Sequence, residues 1–117
     1  MRALLRAALA PTGSRLVEAA DGSEALDVAW RERPDVVLLD VGLPKLSGVD
    51  VCRALKTSPE PPHVILITGN ALADEVDACG ADGVIAKPFR PADLVDEVER
   101  ALARVVGRQD VAVGVPR

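Results

Sequence analysis

The chain has 117 residues, 49% of them hydrophobic and 27% charged, with a net charge of −4 at neutral pH. That is the size and balance of one globular domain with a core of its own. Aromatics make up only 2%, Trp30 and Phe89 without a Tyr, so neither a basic DNA-binding domain nor a nucleic-acid surface of stacked rings is expected. No apolar run approaches the roughly 18–20 residues that cross a bilayer. The alternation of Arg with Leu and Ala at the start has no signal-peptide core behind it. Cys52 and Cys79 are too few for a disulfide framework or a zinc site. The composition predicts a reduced, cytoplasmic, one-domain protein.

The elements follow in chain order. Leu5, Ala8 and Leu9 recur at helical spacing until Pro11 and Gly13 stop them. Residues 15–19 (RLVEA) read as a short strand. Leu26, Ala29 and Trp30 repeat the helical spacing, with Ser23 as the expected N-cap and Pro34 beyond the end. Residues 35–40 (DVVLLD) and 63–68 (HVILIT) are continuous aliphatic runs, the pattern of parallel strands covered on both faces. Val51, Cys52 and Leu55 mark a helix after Gly48. A short helix is expected over about 71–79, with Gly80 at its C′ position. Residues 83–87 (GVIAK) read as another strand. Leu94, Val95, Val98, Leu102 and Val105 form one helical stripe, with Pro91 in its first turn and Gly107 past its end.

Helices alternating with strands over short connections predict an α/β doubly wound parallel sheet. Residues 110–115 (DVAVGV) alternate like a strand after the last helix. They are either a frayed tail or a further strand, and their apolar residues favour the strand.

In doubly wound sheets the ligand site lies at the carboxyl ends of the strands. Asp40, Thr68 and Lys87 each end one of these runs. A carboxylate, a hydroxyl and an ammonium on one sheet edge suit phosphoryl transfer to the carboxylate. Asp40 would be the nucleophile, with Lys87 and Thr68 binding the phosphoryl oxygens. Singly, each has an ordinary reading as a turn, cap or surface residue; jointly they are far more specific.

These segments resemble the receiver domain of two-component response regulators. The likeness is carried by VVLLDVGLPKLSGVDVCRAL, VILITGNA and CGADGVIAKPF, with EAADGSEAL ahead of them. It covers about residues 1–106 and implies a flavodoxin-like sheet of the receiver type. It implies that Asp40 takes a phosphoryl group from a histidine kinase or phosphotransfer protein. Thr68 matches the switch hydroxyl, Lys87 the lysine of the site, and Gly42 the residue whose backbone carbonyl binds Mg²⁺ beside Asp40. Pro44 and Gly48 match the loop after the acceptor, and the Lys87–Pro88 bond is expected to be cis. As a single domain, 1–106, with a tail, 107–117, the chain would act by contact with a downstream protein rather than as an enzyme or on nucleic acid.

Two departures qualify the likeness. The family's first strand, which ends in an acidic pair that binds Mg²⁺, has no counterpart ahead of the first helix. Mg²⁺ binding at Asp40 is therefore expected to be impaired. The lost strand would be central, in the order 2-1-3-4-5, and its empty slot would leave buried backbone groups unpaired at about 1–3 kcal/mol each. Residues 110–115 are expected to fill that slot, from the same chain or from a second copy in a strand-swapped dimer. The second departure is Val84, where the family places an aromatic ring; it is expected to pack as an ordinary strand residue.

The other candidates have plain readings: Cys52 and Cys79 in the core, His63 at a solvated strand end, Trp30 covering the sheet. Asp93, Asp96, Glu97 and Glu99 form a solvated helix face that is also a candidate partner surface. Two competing functions remain. One is a degenerate receiver that binds a protein partner independently of phosphorylation. The other is a phosphatase of the haloacid dehalogenase type, whose second aspartate is missing after Asp40.

Overall fold

The computed structural model describes residues 2–10, 15–69, 79–104 and 110–115. Among them the two periodicities become nine elements: helix α1 (Arg2–Leu9), strand β1 (Arg15–Ala19), helix α2 (Gly22–Glu32), strand β2 (Val36–Asp40), helix α3 (Gly48–Leu55), strands β3 (His63–Thr68) and β4 (Gly83–Ala86), helix α4 (Pro91–Leu102) and strand β5 (Asp110–Gly114). The helix expected over 71–79 lies outside the described residues except for Cys79, as do Gly107, Pro116 and Arg117.

The five strands form one parallel sheet in the order β1-β5-β2-β3-β4. The segment over 110–115 is thus a strand of the sheet, supplied by the same chain. It fills the slot between β1 and β2, in register from Arg15–Asp110 to Ala19–Gly114 on one side. On the other it runs from Val36–Val111 to Leu39–Gly114. All its residues are buried. Its alternation explains the fit: Val111, Val113 and Val115 face one side of the sheet and Ala112 the other. Burying a valine contributes about 1.5–3 kcal/mol, so three of them offset much of the entropy of ordering the tail.

Each sheet face carries its own core. Helices α2 and α3 cover Val37, Leu39, Val64, Leu66 and Ala112. Helices α1 and α4 cover Val36, Leu38, Ile65, Ile67, Ile85, the two valines of β5 and Val115 just past it. Strands β2 and β3 feed both cores, which is why their sequences are continuous aliphatic runs rather than alternating ones.

Several local expectations are corrected. The N-cap of α2 is Asp21, not Ser23: its carboxylate accepts the Glu24 amide at 2.8 Å. Helix α4 is described over Pro91–Leu102, and Val105, the last of the expected stripe, lies outside the described residues. Trp30 does not cover the sheet; it is 49% exposed. The buried face of α2 is made of Gly22, Ala25, Val28 and Ala29, and so close an approach leaves no room for an indole. Trp30 instead borders a groove of about 870 Å³ with Pro34, residues 59–62 and His63. His63 is half-buried rather than solvated, and burial holds its pKa below the usual value. Val84 is a strand residue as expected, paired with Leu66, but on the edge strand β4 it is 40% exposed.

Candidate functional site at the carboxyl edge of the sheet

Strand β2 delivers four buried aliphatic residues and then Asp40, itself only 5% exposed. The loop that follows is held from two sides. The Gly48 amide bonds the Val41 carbonyl at 3.1 Å, and a Cβ on Gly48 would lie 2.5 Å from the Asp40 carbonyl oxygen. The Gly22 amide bonds the Pro44 carbonyl at 3.0 Å, and a Cβ on Gly22 would lie 2.0 Å from the Leu46 carbonyl oxygen. The starts of α2 and α3 therefore grip the loop by backbone contacts that admit only glycine. Between them Lys45 has a φ of 68°, a left-handed conformation that non-glycine residues seldom adopt. Its ammonium lies 3.5 Å from the Asp21 carboxylate. The Glu24 amide first, and the Lys45 charge after it, hold the Asp21 pKa below the ordinary carboxylate value against the opposing effect of burial.

Both oxygens of Asp40 have partners. Oδ1 accepts the Gly42 amide at 2.8 Å, and Oδ2 accepts the Lys87 ammonium at 2.6 Å. Lys87 directly follows β4, and its amide bonds the Thr68 carbonyl at 2.8 Å. The Lys87–Pro88 peptide bond is cis. Thr68 ends β3, the strand between β2 and β4, and is buried. The fold thus brings Asp40 and Lys87 into direct contact and sets Thr68 on the strand end between them. Gly42 is beside Asp40, but the contact it makes is through its amide.

The other side of Asp40 is different. Extending the β2–β5 register by one residue past Leu39–Gly114 puts Val115 level with Asp40. Val115 is fully buried and belongs to the α1–α4 core, and its amide bonds the Ala19 carbonyl at 3.1 Å. Among the described residues no group of three or more His, Cys, Asp or Glu side chains is placed to hold a metal ion.

A five-stranded parallel sheet, helices on both faces and polar side chains collected at its carboxyl edge define a flavodoxin-like doubly wound domain. Residues 1–99 match the model of the response regulator receiver domain, and the chain belongs to that family. It is 40% identical over 108 residues to the DNA-binding response regulator MtrA of Mycolicibacterium smegmatis, covering 82% of this chain and 46% of that protein. The chain spans about half the length of the curated relatives it matches. Among solved structures it is similar to the chemotaxis response regulator CheY4 of Vibrio cholerae, at 31% identity and a TM-score of 0.78, with 86% of this chain and 88% of that one covered. It is also similar to the receiver domain of the sensor histidine kinase PA1611 of Pseudomonas aeruginosa. That likeness has 31% identity and a TM-score of 0.74 over 85% of each chain, and the PA1611 structure has a magnesium ion coordinated in its active-site cleft. None of the described helices is long and apolar enough to cross a membrane.

Sequence reasoning had singled out Asp40, Thr68, Lys87 and Gly42. It missed the grip of Gly22 on the loop after Asp40 and the Asp21–Lys45 pair. The Asp21-Gly22 dipeptide was visible as a turn signal, but the backbone that Gly22 meets is brought to it only by the packed fold.

Proposed function

We propose that this chain is a phosphoacceptor in two-component signalling, taking a phosphoryl group on Asp40 from the phosphohistidine of a histidine kinase or phosphotransfer protein. One Asp40 oxygen attacks phosphorus, the P–N bond breaks, and the imidazole leaves with the electron pair. Lys87 then pairs with a phosphoryl oxygen in place of the carboxylate, and the Thr68 hydroxyl donates to another. The observation that carries this reading is the part-buried Asp40–Lys87 contact of 2.6 Å at the carboxyl edge of the sheet. Residues 1–106 would form the receiver unit, with 107–117 carrying the replacement strand. Its output would pass by contact with a downstream protein in the cytoplasm, because the net charge of −4 suits neither DNA nor an anionic membrane. Acetyl phosphate tests the chemistry directly. A mass increment of one phosphoryl group is expected in the parent and not in Asp40→Asn; a parent that never gains it overturns the reading.

A second reading has its own support in the apolar side of Asp40. A receiver that serves as a phosphorylation-independent binding module would hold a partner equally well as the parent and as Asp40→Asn.

A further inference from the structure

We propose that the Asp40 pocket takes no divalent cation, and that Val115 is the residue that decides this. The proposal rests on the reading of Asp40 as the acceptor carboxylate, and its own test is metal binding.

Side chains on a strand alternate between faces. Leu38 lies in the α1–α4 core with Val113 and Val115. Asp40, two residues beyond Leu38, therefore points to the same face as Val115 and stands level with it. Paired strands lie about 4.8 Å apart. A carboxylate at 115 would thus stand beside any ion bound on Asp40, and the side chain there is an isopropyl group buried in the core. Mg²⁺ requires near-octahedral oxygen ligation and gives up water reluctantly. The valine side chain offers it no oxygen.

The occupied side of Asp40 points the same way. Oδ2 is 2.6 Å from the Lys87 ammonium and Oδ1 holds the Gly42 amide. Each oxygen keeps a second lone pair, but a dication there would sit close to the Lys87 ammonium in a part-buried site. Lys87 already neutralises the carboxylate with a single positive charge. Meanwhile β5 satisfies every structural demand on its position: it pairs with both neighbours and fills the core. Nothing about folding asks for a carboxylate at its end. Among the described residues the positive charge in contact with Asp40 is that of Lys87, and transfer is not accelerated by Mg²⁺.

The test is an NMR titration of the full chain with MnCl₂ and with MgCl₂. In the parent, no saturable broadening or shift is expected at the amides of Asp40, Gly42 and Lys87. In Val115→Asp, saturable binding at least about tenfold tighter is expected, and it should vanish when Asp40→Asn is added. Saturable broadening in the parent, confined to these amides and abolished by Asp40→Asn, overturns the proposal. So does a folded Val115→Asp that binds no better than the parent. If the buried aspartate prevents folding, the parent titration decides alone. Acetyl phosphate separates this inference from the acceptor reading: Mg²⁺ is expected to change the rate less than about twofold. Strong Mg²⁺ stimulation would overturn the inference while supporting Asp40 as acceptor. Absence of any phosphorylation would overturn the acceptor reading and leave the metal titration to stand on its own result.

Discussion

Strand β2 divides the sheet into two unlike halves. On one side β3 and β4 bring Thr68 and Lys87 to the strand ends next to Asp40; on the other β5 leads to Val115, level with Asp40, beside the end of β1 at Ala19. As structure the halves are equivalent, since both pair every strand in parallel register and both bury aliphatic side chains on two faces. As chemistry they are not. A β-ladder uses backbone groups that any sequence carries, so a strand reached from the far end of the chain completes it as well as any other. A site needs particular side chains at one level of one strand end. Completing the sheet and completing the site are separate achievements, and β5 performs only the first.

The largest effect should come from testing whether the β5 half is as integral as the β3 half. Val113 pairs with Leu38 across the ladder and is buried. A carboxylate in its place would be unpaired in a core, so Val113→Asp should cost more than about 4 kcal/mol, enough to unfold a domain of ordinary stability. Urea denaturation followed by circular dichroism measures it. A variant as stable as the parent would remove β5 from the sheet and with it the equivalence of the two halves.

Next in size is a pair of glycines, one in each half. A Cβ on Gly48 meets the Asp40 carbonyl oxygen at 2.5 Å and the Val41 Cα at 3.0 Å, both backbone. A Cβ on Gly114 meets the end of the Leu39 side chain at 2.9 Å, with Ala25 and Leu43 side-chain carbons at 3.4 Å. Backbone yields less readily than a leucine methyl. Gly48→Ala should cost about 2–3 kcal/mol and Gly114→Ala about 1 kcal/mol, within the usual range for overpacking. The first should also slow acetyl phosphate labelling of Asp40, because it displaces the Asp40 backbone, whereas the second should leave labelling near the parent rate. Equal slowing by both would mean that β5 shapes the surroundings of Asp40 after all.

What was legible in the sequence follows the same division. Strands 15–19 and 63–68 were readable to the residue, the second because an uninterrupted aliphatic run has few alternative fates. Asp40, Thr68 and Lys87 were readable because each polar residue ends such a run. The place of 110–115 was legible only through a missing neighbour: its own six residues say strand, and the unpaired slot says which one. The position of Trp30 was not legible, since helical spacing gives the face but not how closely that face approaches the sheet. Nor was the level match of Val115 with Asp40, because register between strands 75 positions apart is set by packing both cores at once.

The smallest contrast lies at the opposite end of the sheet, where each half is started by one aspartate. Asp35 Oδ2 accepts the Asp110 amide at 3.0 Å at the entry to β5. Asp82 Oδ2 accepts the Val64 amide at 2.9 Å at the entry to β3 and also pairs with the Lys56 ammonium. Asp35→Ala removes one amide's acceptor and should cost about 1–2 kcal/mol; Asp82→Ala removes an amide's acceptor and the carboxylate beside the Lys56 ammonium, which keeps the Pro62 carbonyl at 2.9 Å, and should cost about 1–3 kcal/mol. Burial pushes the Asp82 pKa up, but the hydrogen bonds from Lys56 and Val64 outweigh it and hold the folded-state value below the ordinary one. A depressed carboxylate contributes stability that is present above its unfolded pKa of about 3.9 and is lost as the pH falls through the lower folded value. The gap between parent and Asp82→Ala in urea should therefore be full at pH 7 and shrink on acidification below about pH 4. A gap that stays constant across that range would mean that Asp82 acts through packing rather than charge, and that the entry to β3 is held no differently from that of a strand without an ion pair.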